Sequence, residues 1–134
     1  MSEMWSGPPV ARSGFPKKES MNTSDYRQTA LEFANVLAAR DYPKAYSMTA
    51  QAYRTRHTVE QLRIAFETIV PDDFGPIGPV EVGHTMEDWP GKQPGDIGWA
   101  YVSIGGDVYS EAVTVVVALE NGEAKIREIE FGRP

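Results

Sequence analysis

The chain of 134 residues has no cysteine and only two histidines, and these absences exclude several kinds of site. Without cysteine there is no disulfide, no thiolate metal ligand and no cysteine nucleophile. His57 and His84 stand far apart in the sequence, so they predict no transition-metal centre. We therefore expect neither a metal nor any other cofactor.

Long hydrophobic runs are also missing. No apolar stretch approaches the roughly 20 residues that a membrane-spanning helix needs. Residues 1–20 hold no apolar block that would act as a signal sequence. The sequence therefore predicts a cytoplasmic protein without a membrane partner. The pair Gly105-Gly106 is typical of a hairpin turn and lacks the spacing of a phosphate-binding loop. The Gly-x-Ser-x-Gly nucleophile motif of hydrolases is missing as well.

The first 23 residues differ in composition from the remainder. They hold single aromatic residues without periodicity, between glycines and prolines at Gly7, Pro8, Pro9, Gly14 and Pro16. Such a segment buries too little apolar area to offset the entropy of ordering it. We predict a flexible N-terminal tail over residues 1–23 and a single domain over residues 24–134. Alternatively, Trp5 or Phe15 docks onto a partner or a second copy.

Residues 24–71 carry the hydrophobic period of helices. Apolar residues recur at helical spacing from Ser24 to Leu37 and predict a first helix that ends near Arg40. Proline is favoured in a first helical turn, so Pro43 predicts the start of a second helix, over residues 43–53. Thr58 and Gln61 form a capping-box pattern that predicts a third helix ending before Pro71.

After Pro71 the hydrophobic period changes to two, which is typical of strands. Strands are predicted over residues 80–86, 97–104, 110–119 and 125–131, with residues 113–118 buried on both faces. Asn121-Gly122 is the strongest hairpin signal in the chain. Hairpin turns join antiparallel neighbours, so three helices followed by this sheet predict an α+β domain.

This order of elements resembles the nuclear transport factor two-like superfamily. Three features carry the likeness: the joint AARDYPKAY at residues 38–46, the capped third helix, and the terminal hairpin of residues 113–131. The resemblance implies a curved, mainly antiparallel four-stranded sheet that forms a cone around the first helix. Isomerase, dehydratase and cyclase members use Asp, His and Tyr inside that cone. No such motif is matched here, and we predict no catalytic residue.

A cone of this kind implies a pocket between the sheet and the helices. We expect its lining to combine helix residues with one face of the second strand, and to include His84 from the apolar side of the first strand. The candidates are Tyr26, Phe33, Tyr46, Tyr53, Phe66, His84, Trp99, Tyr101 and Ser103. The simpler interpretation is that these rings form the core.

Negative charge is concentrated in the second half of the chain. Residues 72–134 hold four basic and twelve acidic residues, whereas residues 24–71 hold six and five. Such a balance argues against nucleic acid as a partner, because phosphate binding needs clustered cations. It suits a basic protein partner, although plain solubility explains it too. The candidate contact residues are Glu81, Glu87, Asp88, Glu111, Glu128 and Glu130.

Two functions follow from different features. The acidic side of the sheet predicts a non-catalytic protein-binding module, either an immunity-type protein that neutralises a basic toxin or a homodimer formed through the sheet. The aromatic pocket predicts a small-molecule site, enzymatic or carrying. Glu128 and Glu130 share one strand face and could bind a cation, although a solvated edge is the simpler interpretation.

Overall fold

The structure is a computed structural model that describes residues 23–74, 77–105 and 110–132. Within these ranges the chain forms four α-helices followed by a four-stranded antiparallel sheet, which confirms the predicted α+β class. The helices are α1 (Thr23–Ala38), α2 (Tyr42–Ser47), α3 (Gln51–Arg56) and α4 (Val59–Ile69). A 3-10 turn (Asp72–Phe74) leads to β1 (Gly78–Met86), β2 (Asp96–Gly105), β3 (Ser110–Glu120) and β4 (Glu123–Phe131). The predicted tail, apart from Thr23, and the turn residues Gly106 and Asp107 lie outside the described ranges.

The sheet is a meander in which each strand pairs with the next one along the chain. β3 and β4 are joined by Asn121 and Gly122, whose φ angles of 54° and 81° are those of a type I′ turn. The predicted hairpin is therefore confirmed. All of residues 112–118 are buried, which also confirms that β3 is covered on both faces.

The predicted second helix is divided into α2 and α3, so the described chain has four helices where the sequence predicted three. The backbone between them turns aside to pair with β4. Ile126 donates its N–H to the Met48 carbonyl at 2.9 Å, and Ala50 donates to the Ile126 carbonyl at 2.7 Å. Because β4 lies at the edge of the sheet, its outer backbone groups need partners. Pairing with β4 interrupts the helix.

The start of α4 follows the local chemistry of the sequence. The Thr58 side chain accepts a hydrogen bond from the Gln61 N–H at 3.1 Å, and the Gln61 side chain accepts one from the Thr58 N–H at 2.9 Å. This reciprocal pair confirms the predicted capping box.

One face of the sheet packs against the helices, and we call it the inner face. Along β2, residues at alternate positions are buried and the residues between them are half-buried. The inner-face side chains join the helix side chains in a single core. From the helices this core takes Tyr26, Phe33, Leu37, Leu62 and Phe66, and from the sheet Ala100, Val102, Ile104, Val113, Val115, Val117 and Ile126. The opposite side of the sheet is the outer face.

The closest approach between helix and sheet is at Gly98. A Cβ atom on Gly98 would lie 2.1 Å from two atoms of the Tyr26 ring. The Tyr26 ring therefore packs directly on the backbone of β2 and leaves no space for a side chain at position 98. Tyr26 is fully buried, and its hydroxyl has no hydrogen-bond partner among the described residues.

Gly98→Ala is expected to lower the free energy of unfolding by about 1–3 kcal/mol, because the added methyl group would overlap the Tyr26 ring. Gly78→Ala is the matched control, since a Cβ there meets no atom within 4 Å. We expect the control to change the free energy by less than about 0.5 kcal/mol. Urea denaturation measures both, and equal losses would contradict the contact.

Tyr26→Phe is expected to leave the free energy of unfolding unchanged or to raise it by up to about 1 kcal/mol, because it removes a buried hydroxyl without a partner. Tyr42→Phe is the control. The Tyr42 hydroxyl donates to Glu67 at 3.0 Å and accepts from Arg40 at 3.3 Å, so its removal should cost about 0.5–1.5 kcal/mol. Thermal and urea unfolding measure both variants. If the Tyr26 hydroxyl had a hydrogen-bond partner, Tyr26→Phe would lower the free energy of unfolding more than Tyr42→Phe does.

Candidate binding groove on the outer face

Strand pairing places three rows of different chemistry side by side on the outer face. β2 presents aromatic rings, β3 presents small side chains, and β4 presents carboxylates. The two cross-strand sets are Trp99–Val116–Glu128 and Tyr101–Thr114–Glu130. Neighbouring strands lie about 4.8 Å apart, so the aromatic and acidic rows are separated by about 10 Å. Because the side chains of β3 are short, they form a floor between two walls.

The loop between β1 and β2 closes one end of this floor and creates a groove of about 240 Å³. We call it the outer groove. It is lined by residues 89–91 of the loop and by Trp99, Thr114, Val116, Glu128 and Glu130. The groove thus combines two tryptophans, Trp89 and Trp99, with two carboxylates.

Thr114 is the polar group at the floor of the outer groove. The residue is only 6% exposed, and within the described part of the chain its hydroxyl makes no hydrogen bond. The hydroxyl is not among the buried side-chain atoms that lack a partner, so it keeps contact with solvent in the groove. Thr114 therefore offers a hydrogen-bonding group at the floor that a bound molecule can reach.

An ion pair fixes the loop and β4 around the groove. Arg127 reaches across β3 and donates to both carboxylate oxygens of Asp96, at 2.7 and 2.8 Å. The Asp96 side chain is fully buried and that of Arg127 is 13% exposed. Because Asp96 accepts two hydrogen bonds from the guanidinium, it holds the pKa of Arg127 above its ordinary value. Arg127 therefore stays charged across the physiological range.

The same carboxylate organises the loop itself. Asp96 accepts a hydrogen bond from the Gln93 N–H at 2.8 Å, and Gly95 accepts one from the Leu119 N–H at 2.8 Å. Lys92 donates to the Glu87 carbonyl at 2.6 Å, and its ammonium lies 5.7 Å from the centre of the Trp89 ring. These contacts hold Trp89 over the floor of the groove.

The predicted pocket residues lie on opposite sides of the sheet. Trp99, Tyr101 and Ser103 are on the outer face, whereas the five helix aromatics belong to the inner side. Of these five, Tyr26, Phe33, Tyr53 and Phe66 are buried core residues and Tyr46 packs partly buried against them. The structure therefore separates two groups of residues that the sequence predicted to line one pocket. Strict alternation separates the two faces of β2 but does not say which one meets the helices.

His84 is exposed and does not lie on the apolar side of β1, where the sequence placed it. The strand is irregular between Val82, which pairs with Val102, and Thr85, which pairs with Ala100. An extra residue there shifts the alternation by one position. His84 instead packs the edge of its ring against Trp99, with ring centres 5.8 Å apart.

The six predicted contact acids are also divided. Glu81 pairs with Ser103 and lies on the outer face, as do Glu128 and Glu130. Glu87 instead faces Arg27 of α1 at 3.7 Å, and Asp88 is exposed in the loop. Glu111 pairs with Ile104, a buried inner-face residue, so it lies on the helix side. The outer face therefore brings together three acids with Trp99 and Tyr101.

The tyrosines of the helix side are held by the core. Burial raises the pKa of Tyr53, and burial with the nearby Glu67 raises that of Tyr42. Both phenols are therefore neutral at physiological pH. The Tyr46 hydroxyl donates to the His57 carbonyl at 2.7 Å, which ties α2 to the end of α3. The Tyr42 and Tyr46 hydroxyls therefore have structural contacts in the helical layer.

A second groove, of about 270 Å³, lies on the surface of α1 and the start of α2. Its lining is polar and aliphatic, without an aromatic ring, and includes both Lys44 and the acids Glu32 and Asp41. It contains none of the predicted site residues and no concentration of one charge. The outer groove is the better candidate.

The described residues offer no metal centre, because no group of three or more His, Asp or Glu side chains is arranged to hold an ion. Among the described helices, none has the length and apolar character required to cross a membrane.

Comparison with known proteins gives no relative: no family model, curated protein or solved structure matches the chain. The function must therefore be argued from the geometry of the site.

Asp96→Asn is expected to lower the free energy of unfolding by about 3 kcal/mol, because it leaves the largely buried Arg127 with only the exposed Glu128 as a counter-charge. The control is Glu60→Gln, which removes an exposed partner of Arg63 and should leave the free energy of unfolding nearly unchanged. Urea denaturation provides the comparison. Faster tryptic cleavage after Lys92 in the Asp96→Asn variant would report the loosened loop. Similar losses for both variants would contradict a structural role for the ion pair.

Proposed function

We propose that the protein is a non-catalytic binding module whose outer face engages a basic segment of another protein. The observation that carries this proposal is the juxtaposition of Glu81, Glu128 and Glu130 with exposed parts of Trp99 and Tyr101. Aromatic residues are enriched at interfaces, and complementary charge selects partners and raises association rates.

The charges of the outer face support a basic partner in particular. Neither Glu81 nor Glu130 forms an ion pair with another described residue. Arg127 is committed to Asp96 and reaches Glu128 only at 3.4 Å. The outer face therefore offers negative charge that a cationic partner can neutralise, and it repels nucleic acid.

A basic toxin is one partner of this kind. The proposal of an immunity-type role rests on the resemblance to the nuclear transport factor two-like superfamily, which includes toxin-neutralising members. That likeness is itself part of the proposal, supported by the order of helices and strands and by α1 lying against the inner face. A cytoplasmic location belongs to the same proposal, on the grounds of the sequence.

The alternative of an enzyme that works between helices and sheet is less well supported. The helix aromatics proposed for that pocket are packed in the core, whereas Trp99, Tyr101 and the exposed His84 lie on the other side of the sheet. A general base must lie beside the reacting atom. His84 packs against Trp99 with ring centres 5.8 Å apart and does not face the helices.

The triple variant Glu81→Gln, Glu128→Gln and Glu130→Gln is expected to weaken binding of an octalysine peptide roughly tenfold at low salt, because it removes the charges of the outer face. Isothermal titration calorimetry measures the affinity. The matched control removes three exposed acids from the helix side, Glu32→Gln, Glu60→Gln and Asp73→Asn. Raising the salt concentration should reduce the difference between them. Equal weakening by both triple variants would mean that only net charge matters, and the proposal would fail.

A further inference from the structure

We infer that the outer groove receives the guanidinium group of a single arginine side chain from the partner. This inference rests on the proposed function and assigns the chemistry of its central contact. The volume of about 240 Å³ is small for a drug-sized ligand and suits the end of one side chain.

The tryptophans provide faces for a cation. Positive groups within about 6 Å of an indole ring centre are attracted by its negative face, and arginine is the commonest partner. The Lys92 ammonium already occupies such a position at 5.7 Å from the Trp89 ring centre. Trp99 also lines the groove, and His84 packs against it with ring centres 5.8 Å apart. A planar guanidinium can stack on Trp99, whereas an ammonium is a point charge.

The polar groups of the groove match a donor with several N–H groups in one plane. Glu128 and Glu130 accept hydrogen bonds, and the Thr114 hydroxyl can accept as well. Same-face neighbours along a strand are about 7 Å apart, so these acceptors are spread over the floor and one wall. Guanidinium has five N–H donors, an ammonium has three, and a quaternary ammonium has none. The donors of an ammonium diverge from one nitrogen, whereas those of guanidinium are spread over a plane and can reach separate acceptors while the group lies against a ring.

The charge of the groove corresponds to a single cation. Glu128 shares its charge with Arg127 at 3.4 Å, whereas Glu130 has no ion-pair partner among the described residues. One added positive charge balances the negative charge that Arg127 leaves unneutralised in the groove, and two would exceed it. A divalent metal ion is a poor alternative, because the described residues around the groove supply no third carboxylate or imidazole ligand.

The experiment uses the full chain and nuclear magnetic resonance of the indole N–H groups. The sequence has three tryptophans, so there are three indole signals, and Trp89→Phe and Trp99→Phe assign two of them. The probe is N-acetyl-arginine methylamide. We expect saturable shifts of the Trp89 and Trp99 signals. The citrulline analogue, which keeps the shape but lacks the charge, should give no saturable shift, and the lysine analogue should bind more weakly.

Two variants test the acceptors individually. Glu130→Gln should raise the dissociation constant for the arginine probe about tenfold, and Thr114→Val by about threefold or more. Ser103→Ala, an outer-face substitution away from the groove lining, should leave the constant unchanged. Glu130 is exposed, so its variant remains informative if Thr114→Val fails to fold.

Failure of this inference can be told apart from failure of the proposed function. If the citrulline or lysine analogue binds as tightly as the arginine probe, the guanidinium assignment is overturned. If octalysine binding depends on the outer-face acids but the arginine probe shifts neither Trp89 nor Trp99, the groove is overturned and the proposed function stands. If the arginine probe saturates the groove but the outer-face triple variant binds octalysine normally, the proposed function fails and the assignment of the groove stands.

Discussion

The contact between Tyr26 and Gly98 decides which side of the sheet becomes interior. The Tyr26 ring lies where a side chain of β2 would otherwise stand, so α1 can approach the backbone directly. Because side chains alternate along a strand, the burial of Gly98, Ala100 and Val102 commits their neighbours Trp99, Tyr101 and Ser103 to the opposite face. The exposure of aromatic residues on the outer face is therefore a consequence of helix packing on the inner one.

Irregular positions in the strands then shape the outer face. The bulge in β1 between Val82 and Thr85 turns His84 toward Trp99, and the irregularity in β4 between Ile126 and Glu128 frees Arg127 to cross β3. Bulges re-aim side chains in this way, at the cost of local pairing. Arg127 donates hydrogen bonds to Asp96, and Asp96 in turn holds the loop that carries Trp89 by accepting one from its backbone. The outer groove thus depends on departures from regular pairing in two different strands.

These irregularities explain how far the sequence predicts this molecule. The capping box at Thr58 and the turn at Asn121-Gly122 depend on neighbouring residues only, so local chemistry predicted both correctly. The division of the second helix depends on Ile126, far along the chain, whose backbone binds Met48 and Ala50. No local pattern in residues 43–53 signals a strand partner.

The site was harder to predict for a related reason. Alternation identified the two faces of β2 correctly but left their orientation open, and a bulge cannot be placed from hydrophobic period alone. One signal was available, since Gly98 is the only glycine in the strand that the sequence predicted over residues 97–104. A glycine within a strand often marks the close approach of another group. Thr114 and Val116 gave no such signal, because a continuous run of β-branched residues predicts a strand that is buried on both faces.

The distribution of charge and the edges of the sheet together argue for a partner of different chemistry over a second copy. Two outer faces brought together would oppose Glu81, Glu128 and Glu130 with themselves, and like charges brought into contact disfavour association. Extension of the sheet edge to edge is also hindered. β4 is partly covered by residues 48–50, and β1 carries Pro79 and a bulge, which are features that blunt an edge. The aromatic and acidic surface is therefore better suited to the proposed cationic segment than to a second copy of itself.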